Sequence, residues 1–108
     1  MLAHELRACG VDFSFAPVLD LDHGRSGVVG DRAFHTDPEA VADLAGALVA
    51  GLADGGMGAV GKHFPGHGDT RVDSHRGLPI VARSRDELFE IDLLPFAKGV
   101  AAGAPIVM

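Results

Sequence analysis

Ala59-Val60-Gly61-Lys62-His63-Phe64-Pro65-Gly66-His67-Gly68-Asp69-Thr70-Arg71-Val72-Asp73-Ser74-His75 is the stretch on which the reading of this chain turns. Its first part, Ala59 to Phe64, is a strand candidate that runs without a spacer into a turn crowded with titratable side chains. Ordinary core strands do not collect histidines, aspartates and a lysine beside Pro and Gly. Each buried polar group needs a partner, and each glycine costs chain entropy. The segment reads as a strand that delivers a chemically active loop.

Working outward, Val11 to Ala16 mixes Val and Phe with small residues and closes at Pro17, which suits a second buried strand ending near Pro17 to Leu19. A polar loop with Asp20, Asp22, His23, Gly24, Ser26 and Gly27 follows it. Asp37-Pro38 is a helix start: the Asp side chain accepts the first free N–H groups, and Pro fits the first turn. Val41, Leu44, Ala45, Leu48 and Leu52 then predict one apolar stripe on a helix over 38–54, stopped by Asp54-Gly55-Gly56. Before position 10, Leu2, Leu6 and Cys9 recur at helical spacing, with Gly10 as a left-handed cap.

Downstream, Ser84 with Glu87 forms a capping box, and Leu88, Ile91 and Leu94 continue on one face until Pro95 breaks or restarts the helix. A helical piece over Phe96 to Ala102 leads to a further strand beginning at Pro105. Helix and strand alternate, so the chain is α/β with parallel strands. In such folds ligands meet the loops after the strand ends, so loops 20–35 and 65–79 are expected to share one face.

Composition narrows the function. The chain is 47% hydrophobic and 22% charged, as a folded soluble domain requires. A formal charge of −6 with scattered Lys and Arg argues against a nucleic-acid partner. No apolar run approaches the roughly 18 to 20 residues of a membrane span, and Glu5 and Arg7 interrupt the opening where a signal peptide needs an apolar stretch. Cys9 is the single cysteine, so no intrachain disulfide forms and a reducing compartment is compatible.

Asp73 and His75 are two apart, which in an extended segment puts both on one side. A carboxylate on one ring nitrogen fixes the tautomer and leaves the other nitrogen free to give or take a proton. Taken alone, such a pair also fits an incidental surface contact. Lys62 and His63 stand at a strand end, where they can reach a hydroxylated ligand; a solvated surface lysine is the plainer reading of Lys62. Arg32, in a strand-end loop, suits forked bonding to ligand oxygens or a nearby carboxylate, and Asp20 either serves the site or holds its own loop. His63, His67, Asp69, Asp73 and His75 are all possible metal ligands, but Pro65, Gly66 and Gly68 rule against a helical His-x-x-x-His site, so no metal is expected.

Phe15-Ala16-Pro17-Val18-Leu19-Asp20, Gly30-Asp31-Arg32-Ala33-Phe34, Gly61-Lys62-His63-Phe64-Pro65-Gly66-His67-Gly68 and Asp73-Ser74-His75, in this order, resemble glycoside hydrolase family 3. The Asp-Ser-His element resembles its β-N-acetylglucosaminidase branch, the enzymes of cell-wall recycling. The resemblance covers practically the whole chain. It implies a TIM (β/α)8 barrel, of which residues 1–108 would supply part of the N-terminal catalytic domain: about three consecutive parallel strands with their helices. A complete barrel needs about 250 residues. It further implies retaining hydrolysis of terminal non-reducing N-acetyl-β-D-glucosamine, from muropeptides in the cytoplasm, without a cofactor.

Carried over by position, the resemblance makes His75 the acid/base, Asp73 the carboxylate that tunes it, and Arg32, Lys62 and His63 the sugar-binding residues. It places the nucleophilic aspartate on a later strand, beyond the point matching Met108, so the chain is expected to be an internal fragment, inactive by itself. A family-3 β-glucosidase fragment is the second reading, disfavoured because that branch takes its acid/base from another domain. A sugar-binding remnant without catalysis is the third.

Overall fold

The computed structural model describes all of residues 1–108. Three parallel strands, β1 (Phe13–Ser14), β2 (Gly58–Gly61) and β3 (Ile106–Val107), lie in chain order with β2 in the middle. Phe13 pairs with Gly58 and Ser14 with Ala59, while Val60 pairs with Ile106 and Gly61 with Val107. The first ladder is interrupted at Pro17, which has no N–H to donate, and resumes as a single parallel bridge between Val18 and Lys62. β2 is shorter than the expected Ala59 to Phe64 because the His63 amide leaves the ladder and donates to the Asp20 carboxylate, 3.2 Å away.

The helices form where local chemistry directs them. α1 (Leu2–Ala8) ends before Gly10, which takes the left-handed φ of +84° expected of its cap. α2 (Pro38–Asp54) keeps the expected bounds, and Asp37 Oδ2 accepts the Ala40 N–H at 3.2 Å. Its buried face is Val41, Ala42, Ala45, Val49 and Leu52, so the expected stripe is rotated: Leu44 is half exposed. The Ser84–Glu87 capping box forms in both directions around a single α turn, α3 (Arg85–Glu87). The chain then widens into a π turn, Leu88–Asp92, closed by the Leu93 N–H on the Leu88 carbonyl at 2.9 Å. Pro95 sits in the first turn of α4 (Leu94–Ala101), so it restarts the helix.

α2 and α4 pack against each other and against β2. Ala3, Val49, Leu52, Met57, Ala59 and Ala104 make one apolar cluster, and Leu19, Ala45 and Phe96 a second. Burying a Val, Leu or Phe side chain in this way stabilises the fold by about 1.5–3 kcal/mol each. The edges are bare by contrast: Phe13, Phe15, Ile106 and Val107 are all exposed. A wholly apolar groove of about 410 Å³ runs between α4 and β3, lined by Phe64, Phe89, Phe96 and Val107 among others. No helix is long and apolar enough to cross a membrane.

Candidate active site

The strand ends and their loops meet, as the alternation of elements predicts. Asp20 follows β1 and its side chain is fully buried. Three donors from the β2 loop converge on its two oxygens: the His63 amide at 3.2 Å and His63 Nδ1 at 2.6 Å on Oδ2, and the His67 amide at 2.6 Å on Oδ1. Asp20 therefore holds the turn after β2 and not its own loop. Gly68 completes the close approach of the two loops. A Cβ there would stand 1.9 Å from the Leu21 carbonyl oxygen, so only glycine fits. Arg25 Nη1 on Asp69 Oδ1, at 3.1 Å, adds a contact between the same loops at the surface.

An opening of about 410 Å³ lies beyond this turn, lined by His63, His67, Thr70, Ser74 and His75 together with residues such as Met108. The Thr70 hydroxyl donates its one proton to the His67 carbonyl at 3.0 Å, so it accepts from His67 Nδ1. That leaves His67 Nε2 buried and without a partner.

Asp73 and His75 do meet, though through a turn and not through an extended segment. Asp73 Oδ1 accepts the His75 N–H at 2.9 Å and His75 Nδ1 at 2.8 Å, while the Asp73 carbonyl accepts the N–H groups of Arg76 and Gly77. The His75 amide first and its ring second hold the Asp73 carboxyl below its ordinary 3.8. The His75 ring is 88% exposed, with Nε2 turned to no protein partner. Such a pair can transfer a proton at Nε2 while Nδ1 stays bound to the carboxylate.

The remaining expected sugar-binding residues stand apart from this lining. Arg32 is exposed, and its guanidinium donates to the Val28 and Val29 carbonyls, closing its own short 3₁₀ turn, Gly30–Arg32. Lys62 is half-buried at the end of β2, its backbone N–H on the Pro17 carbonyl at 3.0 Å. Of the residues read from the sequence, the structure brings His63 and His75 to the opening, with Asp73 bonded to His75, and places neither Arg32 nor Lys62 in its lining. No group of three or more His, Cys, Asp and Glu side chains is arranged to hold a metal ion.

One cluster gave no sign of itself in the sequence. Asp92, buried by the π turn, receives His23 Nε2 at 3.0 Å and Arg83 Nη1 at 3.0 Å, the latter an ion pair without hydrogen-bond alignment. Arg83 Nη2 also lies 3.5 Å from Asp69 Oδ2. Its members come from four separate segments, which no local pattern links.

A profile described as the glycosyl hydrolase family 3 N terminal domain matches residues 1–108. The chain is 58% identical over 108 residues to a beta-hexosaminidase of Thioalkalivibrio sulfidiphilus, covering all of this chain and 31% of that protein. Native NagZ from Neisseria gonorrhoeae superposes with a TM-score of 0.93 at 58% identity, over 99% of this chain and 31% of that one. The same enzyme in complex with N-trifluoroacetyl-D-glucosamine gives a TM-score of 0.93 and covers 32% of that chain. The chain thus spans about a third of the length of the proteins it resembles, and a match along its whole length, from Met1 to Met108, makes it a member of glycosyl hydrolase family 3, drawn from that family's N-terminal domain.

Proposed function

We infer that this chain supplies the sugar-binding and proton-transfer part of a retaining β-N-acetylglucosaminidase. The observation that carries the reading is the Asp73–His75 pair at 2.8 Å, standing on the rim of an opening walled by His63 and His67. His75 Nε2 gives its proton to the leaving-group oxygen and then takes one from the attacking water, with Asp73 holding the ring at Nδ1 throughout. Arg32, Lys62 and His63 hold the sugar. The nucleophile comes from another part of a longer protein, whose eight strands close a TIM barrel around this face. The ligand of the Neisseria structure, an N-acylated glucosamine, supports an amino-sugar substrate. Muropeptides as the source of that sugar, and the cytoplasm as the place, belong to the same proposal, as does turnover without a cofactor.

The full-length gene product tests the reading with p-nitrophenyl N-acetyl-β-D-glucosaminide and the matching glucoside. Preferential release from the N-acetylglucosaminide, with NMR showing first-formed β-anomer, is expected. Preference for the glucoside would move the protein to the glucosidase branch; N-acetylglucosamine binding with no turnover would make it a binding protein.

A further inference from the structure

The histidines of two Asp–His pairs line the same opening, and the pairs differ in burial. Asp73 and His75 are at the surface, with side chains 34% and 88% exposed; the Asp20 side chain is fully buried and that of His63 is 27% exposed. The surface pair is free to exchange protons with water. The buried pair is suited to a fixed role, because three donors hold its carboxylate in place. Asp20 accepts from three groups, His63 N–H, His63 Nδ1 and His67 N–H, and each of them lies more than forty positions away in sequence.

We propose that Asp20 is the positioning residue of the sugar site. It keeps a proton on His63 Nδ1, so that Nε2 alone faces the ligand, and it sets the backbone of the His63–His67 turn that carries the site's wall. In the neutral ring Nε2 then accepts a hydrogen bond from a sugar hydroxyl. The carboxylate cannot be replaced by its isosteric amide. All three groups facing Asp20 are donors, whereas an asparagine side chain has one accepting end and one donating end. If the amide oxygen serves His67, the NH2 confronts His63 and forces its Nδ1 to become an acceptor. The proton then moves to Nε2. If the oxygen serves His63, the NH2 confronts the buried His67 N–H and the turn shifts.

The part of this inference that concerns sugar rests on the function proposed above; the part that concerns the His63 proton does not. In the full-length gene product with 15N-labelled histidine, long-range 1H–15N spectra should show neutral His63 protonated at Nδ1. A neutral ring protonated at Nε2 in the wild type would overturn the proposal outright, whatever the enzyme hydrolyses. Asp20→Asn should move the proton to Nε2 or shift the His67 amide resonance, and raise KM for the N-acetylglucosaminide on the order of tenfold or more, with a smaller change in kcat. A folded Asp20→Asn enzyme with both resonances in place and KM unchanged would also overturn it. If that variant does not fold, the wild-type spectrum still decides. If the gene product hydrolyses no N-acetylglucosaminide while the spectra come out as expected, the proposed function fails and the role of Asp20 stands.

Discussion

Arg83 Nη1 lies 3.0 Å from Asp92 Oδ2, and through this contact the downstream end of the His75 loop is tied to the π turn. Arg83 also reaches Asp69 at the upstream end of the loop, at 3.5 Å, so residues 70–82 are closed at their base. Arg83→Met would leave Asp92, whose side chain is 6% exposed, with His23 as its one remaining partner. Breaking a largely buried pair from one side costs about 3 kcal/mol. The urea midpoint of the full-length gene product should fall accordingly, and proteolytic nicking within 70–82 should quicken. An unchanged midpoint would mean that water replaces the bridge at no cost.

On the proposed function Asp73 acts through His75, and a double-mutant cycle tests that dependence. His75→Ala should lower kcat by about 10²- to 10⁴-fold, the usual contribution of a positioned general acid/base. Asp73→Asn should cost less, because both His75 donors meet the single Oδ1 atom, which an amide oxygen can replace with loss of the negative charge alone. The double variant should be no slower than His75→Ala alone. Additive losses would give Asp73 a separate task.

The Asp73 carboxyl also makes a prediction about acid. Its folded value is depressed below the ordinary 3.8, so the turn it holds gains its full support above that pH and loses it as pH falls through the lowered folded value. The chemical shift of Asp73 Cγ should therefore titrate below 3.8, with the His75 amide resonance moving in the same step. Titration of that carbon above 3.8 would contradict the two His75 hydrogen bonds to Asp73 Oδ1.

Gly68→Ala should destabilise strongly. The added methyl would stand 1.9 Å from the Leu21 carbonyl oxygen, a backbone atom that cannot swing aside. Separating the two loops would also strain the Asp20 contacts with the His63–His67 turn. A loss of roughly 2–4 kcal/mol is expected, measured by urea unfolding. A near-neutral substitution would show that the loops part easily.

Asp37→Ala tests a purely local claim. The Asp37 side chain caps α2 by accepting the Ala40 N–H at 3.2 Å. Its removal should cost about 1 kcal/mol, and Asp37→Ser should recover most of it. Loss without recovery would assign the effect to something other than the cap.

Much of this fold was legible in the sequence because its signals are local. A cap depends on two residues three apart, so Asp37 and the Ser84–Glu87 box fixed helix starts that the structure repeats. The Asp73–His75 contact was likewise legible, since residues two apart can scarcely avoid each other; only the backbone shape, a turn, was misjudged. Alternating helices and strands determined a parallel sheet, and four motifs in order determined the family.

What the tertiary structure alone decided lies between residues far apart in the chain. Periodicity marks an apolar face but not its neighbour, so the burial of Val49 against Ala3, Met57 and Ala59, and the exposure of Leu44, waited on how α1 and β2 pack against α2. The role of Asp20 was equally hidden: a carboxylate after a strand looks the same whether it faces its own loop or another. Only the parallel pairing of β1 with β2 carries His63 and His67 to it, and the buried oxygens then take the donors that water can no longer supply.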